Sequence, residues 1–264
     1  MLGRTRRGRL TSSRPDTAVL CLSAGLDSAV NLAAACRRRG GVRLALTFDY
    51  GQRAARREAA CARRLAGRYG VPWRLIRLPW LGEITGTALV ARGRKLPELS
   101  PKQLDDRART LKSAAAVWVP HRNGVFLNVA AAFAEALGCR EVLIGFNREE
   151  AATFPDNSAA FGRATTAAFR FSTATRVRVR SYTARLDKRG IVRLAGHLGL
   201  PLDLVWPCYE GGRSPCGCCE SCLRFRRACA SARIPSPWPL QHPSPASFSS
   251  STTTGPSAFS SPRS

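Results

Sequence analysis

The sequence is short of lysine, of acidic residues and of long apolar runs. Lysine occurs only at Lys95, Lys102, Lys112 and Lys188, whereas Lys and Arg together number 42 against 17 acids, so the formal net charge is +25. No run of eighteen apolar residues occurs, which argues against a transmembrane helix, and no signal-peptide pattern opens the chain. We therefore expect a cytoplasmic protein without a membrane partner.

The excess of arginine suits polyanionic partners such as nucleic acids, phosphates and nucleotides. A general preference for Arg over Lys explains the charge equally well. No RRM aromatic pair or KH loop accompanies it, so direct nucleic-acid binding is not expected. The first sixteen residues are predicted to form a frayed basic extension, with a transit peptide as the alternative.

Apolar runs and glycine stops predict an α/β fold, in which a parallel sheet is flanked by helices on both faces. Strands are expected at 18–23, 42–48, 73–78, 141–146 and 177–182. Helices are expected at 29–39, 58–69, 123–137, 158–171 and 188–198. Asp187 is the expected N-cap of the last helix, and Gly199 ends it. The segment 81–112 has weak periodicity and is predicted to be a long loop near the active site.

A glycine turn joins the first predicted strand to the first helix, with the sequence Leu-Ser-Ala-Gly-Leu-Asp-Ser over residues 22–28. The N–H groups at a helix start are unpaired and attract phosphate. Ser23 and Ser28 add hydroxyl donors, and Gly25 allows close approach of an anion. Asp27 suggests a Mg²⁺ partner or a contact at the helix N-terminus. The spacing matches neither the dinucleotide fingerprint nor the Walker A motif, and an ordinary capped turn is the alternative.

Five of the ten cysteines fall between Cys208 and Cys222. Such clustering favours a metal site over a disulfide scaffold. Cys216, Cys219 and Cys222 form a C-x₂-C-x₂-C series, and Cys208 supplies a fourth thiolate, so one structural zinc ion per chain is predicted. Cys218 lies between two ligands and is expected to point away. An iron–sulfur cluster is the alternative, because four thiolates also suit iron.

The composition thus predicts four parts along the chain. They are a basic extension at 1–16, an ATP-binding domain at 17–204, a zinc-binding motif at 205–230 and a disordered Ser/Pro-rich tail at 231–264. The tail has few apolar residues and no periodicity, so it is not expected to bury enough surface to fold.

Five segments in order resemble the QueC/ExsB family of PP-loop enzymes, the 7-cyano-7-deazaguanine synthases. They are 22–28, Thr-Phe-Asp-Tyr-Gly-Gln-Arg at 47–53, Val-Pro-His-Arg-Asn at 119–123, Ile-Gly-Phe-Asn at 144–147 with Phe-Pro-Asp at 154–156, and the cysteine block. The resemblance implies an adenine nucleotide alpha hydrolase-like fold. It also implies a ligase that uses ATP to convert 7-carboxy-7-deazaguanine and ammonia into 7-cyano-7-deazaguanine, in queuosine and deazapurine biosynthesis. A homodimer is plausible on the same ground.

The resemblance also implies residue roles. The predicted ATP and Mg²⁺ site comprises Leu22, Ser23, Ala24, Gly25, Leu26, Asp27, Ser28, Ala29, Val30, Asn31 and Leu32. Asp27, Ser28, Arg53 and Lys188 are the candidate catalytic residues. Asp49, Gln52, Arg122 and Asp156 are the candidate substrate-binding residues, with Arg53 and Arg122 as clamps for carboxylate or phosphate and Asp156 as the acceptor for the guanine-like edge. The metal ligands are Cys208, Cys216, Cys219 and Cys222.

Three departures from the family pattern stand out. Ala24 replaces the first glycine of the phosphate loop and is expected to keep a negative φ. His121 replaces a glycine before Arg122, and the loop after Asp156 reads Asn-Ser-Ala-Ala-Phe instead of Cys-Arg-Pro-Glu-Phe. Two other functions stay open: adenylation of a tRNA base by another PP-loop enzyme, and a non-catalytic or catalytically degenerate zinc-binding protein.

Overall fold

The computed structural model describes residues 17–238 and contains one five-stranded sheet. Its strands are β1 (Ala18–Cys21), β2 (Val42–Asp49), β3 (Trp73–Arg77), β4 (Glu141–Leu143) and β5 (Arg178–Arg180). The spatial order is β3-β2-β1-β4-β5, and every pair is parallel. The predicted parallel sheet is confirmed, although β1, β4 and β5 end two or three residues earlier than predicted. The chain leaves the sheet early there because the following residues form the loops of the site.

Eight α-helices surround this sheet in the described chain. They are α1 (Leu26–Cys36), α2 (Ala55–Arg68), α3 (Pro79–Glu83), α4 (Arg107–Ala116), α5 (Arg122–Ala136), α6 (Ala159–Ser172), α7 (Lys188–Leu198) and α8 (Glu220–Ala232). The bounds of α7 match the prediction because both caps are legible in the sequence. The Asp187 carboxylate accepts a hydrogen bond from the Gly190 N–H at 2.7 Å, and Gly199 ends the helix at φ 63°.

The sheet separates two apolar layers. Alternate residues of β1 point to opposite faces: Leu20 packs with α1, α2, α7 and the cysteine-rich segment, and Val19 packs with α5 and α6. Both side chains are fully buried. Helices therefore cover both faces, which leaves the carboxyl ends of the parallel strands as the place for a ligand. No helix among residues 17–238 is long and apolar enough to cross a membrane.

The prediction of a long loop over 81–112 is wrong in part. This segment contains the end of α3, a 3₁₀ turn at Pro101–Asp105 and the first half of α4, whose N-cap Asp106 accepts from the Arg109 N–H at 3.1 Å. Helix α4 contacts α8 through Ser113, whose hydroxyl donates a hydrogen bond to the Glu220 carboxylate. Weak periodicity misled the interpretation because these short elements are stabilised by tertiary contacts and not by an amphipathic face of their own.

The chain also remains ordered beyond residue 230. Helix α8 continues to Ala232, and the Ile234 N–H donates to the Cys229 carbonyl at 3.0 Å. Trp238 packs edge-on against Trp206, with ring centroids 5.9 Å apart. The predicted tail therefore begins too early at 231, since these apolar side chains have a core to pack on. Residues 239–264 and the basic extension lie outside the described residues.

Candidate active site

The loop at residues 22–25 follows β1 and leads directly into α1. It is held from β2: the Leu22 N–H donates to the Leu46 carbonyl at 2.7 Å, and the Thr47 hydroxyl donates to the Leu22 carbonyl at 2.6 Å. The N-cap of α1 is Gly25, and no side chain caps the helix. The first N–H groups of α1 therefore lack intrahelical acceptors and form an anion site.

Two hydroxyls and one close backbone approach complete this loop. The Ser23 and Ser28 oxygens lie 3.2 Å apart, and the Gly25 N–H donates to the Ser23 hydroxyl at 3.3 Å. Gly145, just after β4, approaches α1 so closely that a Cβ there would lie 2.7 Å from the Ser28 nitrogen. The Ile-Gly-Phe-Asn motif at 144–147 thus packs directly against the backbone at the start of α1.

Ala24 does not keep the negative φ that we expected. Its φ is 61°, in the left-handed region that costs an alanine roughly 1–2 kcal/mol. The side chain is fully buried, and the Ala24 carbonyl accepts from the Trp206 N–H at 2.9 Å. The hydrogen bond from Trp206 supports this conformation of the turn.

The loop opens on a cavity of about 230 Å³ at the carboxyl ends of β1 and β2. Nine of the predicted nucleotide-binding, catalytic and substrate-binding residues line it: Leu22, Ser23, Gly25, Leu26, Asp27, Ser28, Gln52, Arg122 and Lys188. A smaller adjoining cavity of about 140 Å³ shares Arg122, Lys188 and four further lining residues with it. The structure thus brings the phosphate loop, the second strand end and the lysine of α7 to one place.

A buried lysine between two carboxylates lies beside the loop. Lys188 Nζ is 2.6 Å from Asp27 Oδ2 and 2.6 Å from Glu150 Oε1, and Asn147 donates to Asp27 Oδ2 at 3.3 Å. Burial alone would lower the pKa of Lys188, but the two carboxylates raise it, so the ammonium stays charged. Burial raises the pKa of Asp27 to about 6, although Lys188 opposes this shift. The second oxygen, Asp27 Oδ1, is buried and has no hydrogen-bond partner among residues 17–238.

The wall opposite this cluster is aromatic. The Phe48 and Phe126 rings stack 4.1 Å apart, and the Arg122 guanidinium lies 5.9 Å from the centre of the Tyr50 ring. Arg122 also donates to the Tyr50 hydroxyl at 3.1 Å. Burial would lower the pKa of Arg122, but Tyr50 and nearby acids raise it, so Arg122 presents a fixed positive charge to the cavity.

Arg53 and Asp49, two of the predicted ligands, line neither of these cavities in the described chain. Arg53 instead forms a 2.7 Å ion pair with Glu210, and it donates to the carbonyls of Ala91, Arg92 and Arg94. The Asp49 carboxylate accepts from the Gly51 N–H at 3.0 Å and so caps the turn after β2. These side chains satisfy nearby backbone and charged groups, which turns them away from the cavity.

Asp156 and the second half of the predicted nucleotide segment need the same correction. Asp156 is half-buried in a short 3₁₀ turn, where its backbone carbonyl accepts from the Asn123 side chain at 3.1 Å, and it lines neither cavity. Ala29, Val30 and Leu32 are fully buried in the apolar core. Asn31 and Ala24 likewise point elsewhere: Asn31 hydrogen-bonds Thr183 at 2.8 Å and the Asp27 carbonyl at 2.8 Å. A contiguous stretch of helix cannot line one cavity, because its side chains point in all directions.

The four predicted metal ligands meet at one point. The sulfurs of Cys208, Cys216, Cys219 and Cys222 all lie within 4.8 Å of one another. Backbone N–H groups support them: those of Glu210 and Cys216 donate to the Cys208 sulfur at 3.3 Å, and that of Cys219 donates to the Cys216 sulfur at 3.4 Å. Cys218 is not part of the group, as predicted. Four converging thiols with N–H donors form a closed metal site.

The metal-binding segment also forms part of the cavity wall. Trp206, Pro207, Cys208 and Tyr209 all line it. The segment is tied to the turn before α2 by the Arg53–Glu210 pair, and to α2 itself by Arg57, which donates to the Gly212 carbonyl at 2.6 Å. A Cβ on Gly211 would lie 2.4 Å from the Arg53 carbonyl oxygen, so this glycine is required for the contact.

Sequence reasoning missed several residues of the cavity. Glu58, Glu150 and Tyr209 line it without belonging to a recognised motif. Glu150 had one local signal, since it follows Asn147 by three residues and its N–H donates to the Asn147 side chain at 2.9 Å. Tyr209 follows a predicted ligand directly, and Glu58 lies one helical turn into α2; neither carries a signal of its own.

Comparison with known proteins identifies the family of this chain. The model of the family described as "Queuosine biosynthesis protein QueC" matches residues 17–233. The 7-cyano-7-deazaguanine synthase of Desulforamulus reducens is 56% identical over 80% of this chain and 92% of its own length. That of Pelotomaculum thermopropionicum is 54% identical over 82% of this chain and 97% of its own length. The structure of NMN synthetase from Francisella tularensis aligns with a TM-score of 0.42 at 13% identity, over 83% of this chain and 84% of that one. The chain belongs to the QueC family.

Proposed function

We propose that this protein converts 7-carboxy-7-deazaguanine and ammonia into 7-cyano-7-deazaguanine at the expense of ATP, as a ligase of queuosine biosynthesis. One observation carries the proposal: a single cavity joins an anion-binding helix start to a buried Lys188 on one side and to Arg122 with aromatic rings on the other. The first set suits the phosphates of ATP, and the second suits a flat ring that bears a carboxylate. Membership of the QueC family supports the same activity.

The chemistry needs two activations. In the first, a carboxylate oxygen attacks the α-phosphorus of ATP, which releases pyrophosphate and forms an acyl adenylate. Ammonia then displaces AMP and loses a proton to give the amide. In the second, the amide oxygen takes AMP from another ATP with release of pyrophosphate. The nitrogen then loses both of its protons as AMP departs, which leaves the nitrile. The carboxylate oxygen thus departs on AMP.

The residues of this chain bind and orient the reactants in these steps. The N–H groups at the start of α1 and the hydroxyls of Ser23 and Ser28 bind phosphate oxygens. Lys188 neutralises negative charge that develops on the departing pyrophosphate. Arg122 holds the substrate carboxylate near the α-phosphorus, and the aromatic wall keeps water from the acyl adenylate.

Two metal ions fit the residues present. The orphaned Asp27 Oδ1 is suited to Mg²⁺, which prefers carboxylate oxygens and would supply charge neutralisation to the nucleotide phosphates. The cysteine site is suited to zinc: a tetrahedral ion with Zn–S bonds of about 2.3 Å brings four sulfurs into such close contact. A cuboidal iron–sulfur cluster binds each thiolate to a different iron and spreads the sulfurs further apart.

The proposal also covers the compartment, the basic surface and the oligomeric state of the protein. None of the ten cysteines, all of which lie among the described residues, forms a disulfide, which suits a reducing compartment such as the cytoplasm. The basic surface is not taken as a nucleic-acid site, and a homodimer stays a prediction.

The decisive assay incubates the protein with ATP, ammonium and 7-carboxy-7-deazaguanine and follows the products by mass spectrometry. We expect the nitrile, with two pyrophosphates released per nitrile formed. The variant Asp27→Asn is the control and should form neither amide nor nitrile. Pyrophosphate exchange that requires tRNA instead of the deazaguanine would favour the tRNA-adenylating alternative, and bound zinc without any exchange would favour the non-catalytic one.

A further inference from the structure

Glu58 is an acidic residue of the cavity for which the steps above give no role. It lies in the first turn of α2, lines the cavity and is only partly buried, so it retains surface that faces the cavity. Its Oε2 accepts a hydrogen bond from Gln52 at 2.8 Å. Its Oε1 forms no hydrogen bond with any residue in the range 17–238, and Glu58 forms no ion pair there. One carboxylate oxygen is therefore free to meet a ligand.

The environment of Glu58 disfavours the ionised form of this carboxylate in the absence of a ligand. Burial raises its pKa to about 7, although the hydrogen bond from Gln52 and the charge of Arg122 oppose this shift. Acids with such shifted pKa values in a cavity are candidates for a binding role. A ligand that donates hydrogen bonds to both oxygens would restore the ionised form.

Gln52 fixes the direction in which Glu58 points. The Gln52 carbonyl oxygen accepts from the Tyr50 N–H at 2.9 Å, so its amide nitrogen must face the other way. That nitrogen donates to the Phe48 carbonyl at 3.0 Å and to Glu58 at 2.8 Å. Gln52 is therefore a positioning residue: it ties the carboxylate to the turn after β2.

The rings next to Glu58 define the shape of the ligand. Phe48, Tyr50 and Phe126 line the same cavity, and the Phe48 and Phe126 rings are parallel within 6°. Flat aromatic surfaces suit a planar heterocycle. Arg122 in the same wall supplies a positive charge, so one cavity holds a donor for a carboxylate and an acceptor for ring N–H groups.

We propose that Glu58 binds the edge of the deazaguanine ring that carries N1–H and the 2-amino group, with Arg122 on the carboxylate at the far end. This inference rests on the proposed function and names the part of the site that selects a guanine-like ring. Two adjacent N–H donors match the two oxygens of an ionised carboxylate. An adenine-like edge presents a ring nitrogen acceptor instead and is repelled.

The test compares the wild type with Glu58→Gln in steady-state assays that vary each substrate separately. We expect the KM for 7-carboxy-7-deazaguanine to rise about 10- to 100-fold, which is the range for losing a hydrogen bond to a charged group. The KM for ATP should stay within about twofold, because the phosphate loop is unchanged. A rise in the KM for ATP alone would place Glu58 against the adenine ring and overturn the proposal.

A second arm keeps the wild-type enzyme and changes the ligand. The analogue that lacks the 2-amino group should bind about tenfold or more weakly to the wild type, and Glu58→Gln should lose this discrimination. This arm remains informative if the variant folds poorly, since the wild-type comparison stands alone. Equal binding of the two ligands to the wild type would overturn the role of Glu58 while leaving the proposed function intact. Failure of the wild type to turn over the deazaguanine at all would refute both.

Discussion

The use of ATP should depend on pH through Asp27. This carboxylate must be ionised to hold a cation at its free oxygen, yet burial raises its pKa to about 6. A raised pKa means that the proton stays bound at higher pH than in a free aspartate, so the competent form is lost as the pH falls through 6. With a pKa of about 6, roughly 99% is ionised at pH 8 and roughly 9% at pH 5. We expect kcat/KM for MgATP to fall about tenfold between these values.

The neighbouring carboxylate offers a sharper form of this test. Repulsion from Glu150 is one cause of the raised pKa of Asp27, and Glu150 also shares the Lys188 ammonium. The variant Glu150→Gln removes the repulsion and leaves Lys188 to Asp27 alone. The inflection in kcat/KM for MgATP should therefore move to lower pH. Protonation of the nucleotide is common to both enzymes, so the difference between their profiles isolates Asp27.

The assay is the initial rate of pyrophosphate release from pH 5 to pH 8 at subsaturating MgATP, in buffers of constant ionic strength. Circular dichroism at each pH shows whether the fold persists. A wild-type profile that is flat across this range, or a Glu150→Gln profile with the same inflection as the wild type, would refute the assignment of Asp27 as the titrating group.

The remaining predictions concern the metal site, the phosphate loop and the buried lysine. Cys219→Ser should lose the bound metal and melt at a lower temperature, whereas Cys218→Ser should keep both the metal, measured by elemental analysis, and the melting temperature. Ala24→Gly should change the free energy of unfolding in urea by less than about 1 kcal/mol, because relief of the left-handed φ offsets the loss of the buried methyl group. The control Ala29→Gly, at a buried helical position, should lower the free energy of unfolding by about 2 kcal/mol. Lys188→Met should lower that free energy by about 3–5 kcal/mol, because two buried carboxylates then lack their cation; a loss below 1 kcal/mol would show that solvent reaches them.

Features that are encoded locally could be predicted from the sequence. Helix α7 was placed correctly because Asp187 and Gly199 mark its two ends by their own chemistry. The phosphate loop and the four metal ligands are also short-range patterns, in which glycine, hydroxyl and thiol groups occur at fixed spacings. Such patterns specify what the local backbone does, and the parallel sheet follows from the alternation of strands and helices.

Features that depend on distant contacts could not be predicted in this way. Arg53 lies in a highly specific motif, yet its guanidinium pairs with Glu210, 157 residues later in the chain. Glu58 has no motif and becomes a cavity residue only because α2 packs next to the loop after β1. The φ of Ala24 was predicted wrongly because residue preference favours a negative value, whereas the Trp206 contact holds a positive one. In each case a tertiary contact outweighs the local preference.

We expect the metal site to influence catalysis, because the segment that carries it forms part of the cavity wall. Cys208 is both a predicted metal ligand and a residue that lines the cavity. Two residues before it, the Trp206 N–H donates a hydrogen bond to the carbonyl of Ala24 in the phosphate loop. The segment packs Val205 and Trp206 in the apolar layer with α1 and α2, and metal binding would add folding free energy that the unfolded segment cannot obtain. Part of that free energy would maintain the left-handed turn at Ala24, which costs roughly 1–2 kcal/mol. A metal ion that never touches the substrate would in this way keep the N–H groups of the phosphate loop aimed at the nucleotide.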